Sequence, residues 1–557
     1  MKINNFIYED GEKKSTLCTV LTWVAAVLLA LVGVATVIYY IVGPSEYYMT
    51  SDCTDSLLWA QATLESGKLV SPDFHYAAVI PFGGNLIFLP WLAIFGYSMA
   101  AQIAGLCTYA VLLFAAVVYL ARGLGYKWYV AGGMLSVLVL ILSSSAKLRE
   151  IMWEHIFYYN LGILFFCFGM GLAVRIFKKG GFVDGERRGL VNFIVLSSIL
   201  TVFTAACATN GLQSLVCFIL PVFGAMFAVC LLDGETKLLS KRNLWALIPL
   251  AAVGIATLVG LKLTDTVTGG VTAGYQEAYS TYSDMSTWTD NFLGMFKNWF
   301  TLLGVSVTKA DPLMSEDSII NMIRIFGSLL LLGAPIVMLC GYKNIKNSAV
   351  KMLLIGHFAV SAFMIFASVF GNLGGANWRL TPMVGTAALA TFAYGADLIA
   401  RRGVAARVGA LILAFMLLVA VVPVLDIKGM SEEEVDKYDA HLITEALKER
   451  GLEHGYATFW RSQIITMLSG EEIKCRVIND NVSVPTKRDY QSADSWYEDV
   501  EGEDEYFLLL TFNEYFTCSS WIMQHENIET DNFTVKNEKT GAVYFVYVYS
   551  ENFVAGK

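Results

Sequence analysis

Charge is scarce in this sequence. Only 16% of its 557 residues are Asp, Glu, Lys or Arg, while 56% are hydrophobic. That balance excludes a single soluble domain. Metal and phosphate signatures are missing as well. There is no CxxC pair and no Cys/His ligand spacing, so no zinc motif. There is no Gly-rich phosphate loop, no GxSxG and no HExxH, which sets aside soluble nucleotide-binding enzymes and zincins. No nucleic-acid-binding pattern and no internal repeat is present. The first apolar run, residues 17–42, is too long for a signal-peptide core, and no small-residue cleavage site precedes Pro44, so it is expected to stay as a first span. The ten cysteines are mostly isolated inside apolar runs (Cys107, Cys167, Cys207, Cys217, Cys230 and Cys340), where they act as small apolar fillers. Cys475 and Cys518 both fall in the tail and could pair.

What the sequence has in quantity is long apolar runs. They predict eleven transmembrane helices at 17–42, 98–121, 128–146, 156–176, 190–209, 212–232, 244–263, 319–341, 352–371, 382–400 and 408–425. Residues 85–96 are apolar but too short to cross. They read as a half-buried or re-entrant segment, or as the start of a tilted second span. Basic residues sit in every second loop: Lys13 and Lys14; Arg122 and Lys127; Lys178, Lys179, Arg187 and Arg188; Lys237, Lys241 and Arg242; Lys343, Lys346 and Lys351; Arg401, Arg402 and Arg407. This alternation predicts a cytoplasmic N-terminus in a multi-pass plasma-membrane protein, with the C-terminal tail outside.

The expected fold class is therefore a polytopic α-helical membrane protein followed by a small extracytoplasmic α/β domain. The membrane domain is expected over residues 1–425, with outer loops 43–97 and 264–318, and the soluble domain over 426–557. The net charge of −9 hides this division, because the tail holds about 26 acids against 12 bases and the membrane part is mildly basic. In the long loop, apolar residues from Trp288 to Leu303 recur at spacings of three and four. They predict an amphipathic helix at headgroup level, either an anchor or a wall of a lipid-binding groove. In the tail, a helical pattern over Glu432–Arg450 precedes a strand–helix–strand pattern through GYATFW, RSQIITMLSG and CRVIN. YFLLLTF and AVYFVYVYS add two more strand candidates.

The chain is organised around residues 44–91, between the first two apolar runs. Asp52 and Asp55 lie there three residues apart, on neighbouring faces if a helix begins. Acids held at a bilayer surface are costly without partners or work. The rival reading is capping, with Ser51, Asp52 or Thr54 starting the helix that follows. A second dense spot is KLREIMWEH, which carries Lys147, Arg149, Glu150, Glu154 and His155. Lys147 and Arg149 lie on the side where bases are otherwise rare, which fits an anionic lipid phosphate or an internal salt-bridge cluster. A third is NWRLTP, where Arg379 is either a phosphate ligand or a snorkelling interfacial base. The turn Asn210–Gly211–Gln213 and the pair His75–Tyr76 with Asp73 are weaker signals. Together these place carboxylates opposite cations. A carboxylate can take the proton of an attacking hydroxyl, and cations can stabilise a departing phosphate.

With SDCTDSLLWAQATLESGKL, FHYAAVIPFGGNLIFLPWLAIFG and NWRLTP on one chain, the sequence resembles the GT-C superfamily of integral-membrane glycosyltransferases. GYATFWRSQIITMLSG is similar to a segment that follows the last span in some related proteins of Gram-positive anaerobes. The resemblance implies a polyprenyl-phosphate-sugar donor, inverting transfer and an acceptor on the outer face: an envelope glycan, a teichoic-type polymer or a lipid. It maps the catalytic acid to Asp52, with Asp55 second. Lys147, Arg149 and Arg379 are the expected donor-phosphate ligands, and Glu150, Glu154, His155 and His75 are further site candidates. An adjacent Asp-Glu pair and a WWDYG-like stretch are absent, so transfer to protein Ser/Thr or Asn is not expected. No metal or other cofactor is expected. The competing readings are a transporter or flippase of a lipid-linked sugar, and a non-catalytic envelope scaffold.

Overall fold

The computed structural model describes residues 7, 16–178, 187–232, 241–308, 312–372, 374–401, 403–430 and 438–554. Among them, nine helices are long and apolar enough to cross a membrane, ten if a bent pair counts as one. The first helix, Thr16–Val42, corresponds to the remaining expected span. It packs against Trp128–Ile141, Met99–Gly123 packs against Tyr158–Lys178, and Thr381–Ala400 packs against Val404–Lys428. The last of these helices runs past the boundary expected at Leu425. Lys13, Lys14, Lys179, Lys237 and Arg402 lie outside the described residues.

The expected span 128–146 is corrected. Its helix stops at Ile141, and a second helix, Ala146–Glu154, leaves at 117° to it. Three serines cause the break by taking backbone groups away from the helical ladder. Ser143 and Ser144 donate back to the carbonyls of Val139 and Ile141, and Ser145 caps the new helix by accepting from Leu148 N. The new helix widens to an i→i+5 turn over Glu150–Glu154, a form common at functional sites.

One end of the bundle carries most of the loop mass. Residues 85–96 form the helix Gly84–Phe95, packed on Asp55–Ser66 and on the start of Met99–Gly123. The amphipathic helix is present as Trp288–Leu302. Met295, Trp299 and Leu302 are buried while Phe292, Leu293 and Phe296 are exposed, so its apolar surface serves both the protein and an apolar surround. Asn210 bonds both backbone groups of Phe82, and Ser145 donates to Leu302 O, which ties these loops together.

The tail is an α/β domain with a five-stranded sheet. Its order is Lys474–Ile478, His454–Thr458, Tyr506–Thr511, Val543–Tyr549, Glu529–Lys536; the first three are parallel and the last two pair antiparallel. Alternation along the central strand splits the core in two. Phe507 and Leu509 join Ile443, Leu447 and Ile465 on one face, and Tyr506, Leu508 and Leu510 join Trp521 and Ile522 on the other. Cys475 belongs to the first face and Cys518 to the second, so the conceivable disulfide does not form and both thiols are free.

The tail is fastened to the first loop. Helix Phe459–Leu468 packs on the 3₁₀ turn Ser51–Thr54, where Ile464 N donates to Ser51 Oγ at 3.3 Å. Phe74–His75 pairs antiparallel with Ser492–Ala493.

Candidate active site

Asp52 and Asp55 sit at the start of a helix because the chain is drawn in there from three sides. Ser56 donates to Ile156 O. Gly84 closes over both: a Cβ on it would lie 2.6 Å from Ser56 Oγ and 2.8 Å from Ile156 O. Gln102, at the head of its helix, donates to Cys53 O at 2.8 Å and to Glu154 O at 2.9 Å. One side chain thus staples the Asp52 turn to the Glu154 turn.

The two acids differ in setting. Asp52 is half-buried. Burial and the Glu150 charge push its pKa up to about 6, against the pull of Lys147. Asp55 is only 4% exposed, and burial with the Asp52 charge beside it raises its pKa well above the carboxylate range. Near neutral pH, Asp52 is the ionised base, while burial and the Asp52 charge favour the protonated form of Asp55. Neither caps through its side chain. Thr54, at the N-cap position of the following helix, bonds back to Ser51 O instead.

Lys147 meets Glu150 at 2.6 Å and stands 5.1 Å from the centre of the Trp378 ring. The salt bridge and the charge beside Asp52 are therefore features of one lysine. Arg149 turns inward. It is 7% exposed, donates to Ser143 O at 3.2 Å, and lies over the Tyr40 ring. Glu154 is buried beneath, bonded by the Tyr40 hydroxyl, and burial pushes its pKa up to about 8. His155 is also buried. Burial, with Lys147 nearby, lowers its pKa to about 3, so it is neutral; neither ring nitrogen has a partner among the described residues.

Arg379 is placed differently. It donates weakly to Ala367 O at 3.4 Å, acts on the Tyr158 and Tyr159 hydroxyls, and has no carboxylate partner among the described residues. His75 is away from the acids, 3.1 Å from Asp494 and 3.9 Å from Asp489 at the junction with the tail. Among the described residues, two His/carboxylate groups are close enough to hold a cation, His75–Asp489–Asp494 and Glu453–His454–Glu503; neither includes Asp52 or Asp55. Lys487 already neutralises the first, 2.6 Å from Asp494.

Several participants carry no local sequence signal. Tyr275 of the long loop and Tyr490 of the tail meet each other beside Asp52, and Arg488 stacks on Tyr490 at 4.8 Å. Gln491 lies against Asp55. Gln102 did leave a trace, as a lone amide in an apolar run.

No family model matches the chain, and no curated protein matches it. Solved structures do. ArnT from Cupriavidus metallidurans, in the apo state, is similar at TM-score 0.43 and 12% identity, over 97% of this chain and 99% of that one. The Archaeoglobus fulgidus oligosaccharyltransferase in complex with Zn and sulfate is similar at TM-score 0.44 and 13% identity, over 93% and 72%. The same enzyme tethered to an acceptor peptide gives 0.41 and 12%, over 98% and 75%. At these scores the likeness is one of overall chain path.

Proposed function

We propose that this chain is an inverting membrane glycosyltransferase that moves a sugar from a polyprenyl-phosphate-linked donor to a cell-envelope acceptor at the loop-rich end, on the outer face of the membrane. The observation that carries the reading is the half-buried carboxylate of Asp52 with Lys147 beside it, together with Arg379, which acts on the same Tyr275 as Asp52 does and has no carboxylate partner among the described residues.

Asp52 accepts the proton of the acceptor hydroxyl. The hydroxyl oxygen attacks the anomeric carbon from the face opposite the phosphate, and the carbon–oxygen bond to the phosphate breaks. The phosphate leaves with the bonding pair on its lipid, and Arg379 and Lys147 stabilise the charge that develops on it. A base with pKa about 6 is ionised at neutral pH yet still basic enough to take a proton in flight. Arg149, buried behind Tyr40, holds Glu154 and the fold of its turn and does not meet the donor. Asp55 supports Asp52 as a buried neighbour whose charged form is disfavoured.

The test is transfer of radiolabelled sugar from undecaprenyl-phosphate donors to crude envelope acceptor, with purified wild type and Asp52→Asn in lipid. Label should move with wild type alone. No transfer by well-folded wild type from any donor defeats the proposal in favour of transport. Equal transfer by both proteins removes Asp52 from the role of base.

A further inference from the structure

Gln491 belongs to the tail, yet it is wholly buried against the first loop. Its φ is +52°, in the left-handed region that residues other than glycine enter only at a cost. Something must hold it there, and the holding groups all come from the first loop. Gln491 N donates to His75 O at 2.6 Å. Its Oε1 accepts from Trp59 Nε1 at 2.9 Å and from Ala77 N at 3.4 Å. The flanking Phe74–His75 and Ser492–Ala493 ladder fixes the register.

These bonds also fix which way the carboxamide faces. Two N–H donors converge on one of its atoms, so that atom is the oxygen and the other is the NH₂ group. The NH₂ group closes no bond of its own and faces Asp55, whose Oδ1 is likewise buried without a partner. A buried donor and a buried acceptor are left facing each other, and unmade buried bonds are costly.

We propose that Gln491 is a positioning residue of the active site: its carboxamide, clamped by Trp59 and Ala77, donates to Asp55 and so orders the Asp52/Asp55 pair. The tail then completes the site. This rests on the glycosyltransferase reading for its catalytic consequence, but not for the contact itself. An amide N–H can only donate, so the Asp55 oxygen it meets carries no proton. Without the amide that order is lost.

Gln491→Gly tests this directly. Glycine suits the positive φ and keeps the backbone bond to His75, so only the side chain is removed. In full-length protein in nanodiscs, the infrared carboxyl band of Asp55, assigned by its loss in Asp55→Asn, should move in Gln491→Gly, in protein that still folds but with a lowered unfolding midpoint because Trp59 Nε1 and Ala77 N lose their acceptor. The kcat of transfer should fall roughly tenfold with donor KM unchanged. Gln491→Glu, which replaces the donor with a second carboxyl, should lower kcat further. An unmoved band in folded Gln491→Gly overturns the proposal. A moved band in protein whose wild type transfers no sugar leaves the contact standing and defeats the glycosyltransferase reading instead.

Discussion

The rings of Tyr275 and Tyr490 meet with centroids 5.4 Å apart, although one belongs to the long loop and the other to the tail. Both lie within electrostatic reach of Asp52, and burial raises both hydroxyls above their ordinary pKa, so both are neutral donors. Tyr490→Ala should remove one of the two rings beside Asp52, raising acceptor KM while donor KM holds; Tyr490→Phe, which keeps the ring contact, should change KM much less. Steady-state kinetics with each substrate varied separately check this. Equal effects of Ala and Phe would assign the role to the hydroxyl.

Arg379 is the cation expected to meet the leaving phosphate. Arg379→Ala should lower kcat/KM by about 10²-fold, the scale of one lost oxyanion donor. Arg379→Lys should recover only part, because a point charge does not reproduce a planar fork. Lys147→Met should do less damage, since Lys147 is shared with Glu150 at 2.6 Å. If Lys147→Met proves the more harmful, the order of the two cations is reversed. Side-by-side transfer rates decide.

Much of this arrangement is legible in the sequence because much of it is local. Apolar runs mark the spans, the three-and-four spacing marks Trp288–Leu302, and short runs of apolar, β-branched and aromatic residues mark Tyr506–Thr511 and Val543–Tyr549. Helix Phe512–Gln524 has its own local signal, the capping box that Thr511 and Glu514 form at its start. Strand Glu529–Lys536 is a largely exposed edge strand, so it lacks the apolar alternation of its neighbours. The contact of residues 488–492 with the first loop had no signal at all. Pairing across four hundred residues is decided by tertiary packing, and Gln491 by itself reads as a polar loop residue.

Packing in the tail sheet gives a stability prediction. Gly455 lies directly across from Phe507 in the parallel register, and a Cβ on it would come within 2.3 Å of the ring. Phe507 is fully buried, so it has nowhere to move. Gly455→Ala should cost about 1–3 kcal/mol through overpacking, read as a lowered unfolding midpoint. A reducing agent should leave the midpoint of wild type unchanged, because Cys475 and Cys518 face opposite sides of the sheet.

Gln102 holds the Asp52 and Glu154 turns together through two carbonyls. Gln102→Leu keeps the volume and removes both donors. Two buried carbonyls then lose their partner, at about 1–3 kcal/mol each. The variant should therefore lose both stability and transfer, whereas a variant of a residue serving catalysis alone would lose only transfer. Thermal unfolding and activity measured on one preparation separate the cases.

The acid–base assignment makes its sharpest claim in the pH profile. Asp52 must be ionised to accept a proton, and burial places its pKa at about 6. Below that value kcat/KM should fall tenfold per pH unit, because each unit removes nine-tenths of the base form. Above it the rate should level off, since Asp52 is then fully in its base form. Exchanging Glu150→Gln removes the negative charge that helps raise Asp52 and leaves Lys147 without its salt-bridge partner. Both changes favour the carboxylate, so the acid limb should move to lower pH. A limb that stays in place in Glu150→Gln would mean that a different group titrates, and a limb that persists in Asp52→Asn would exclude Asp52 as the base.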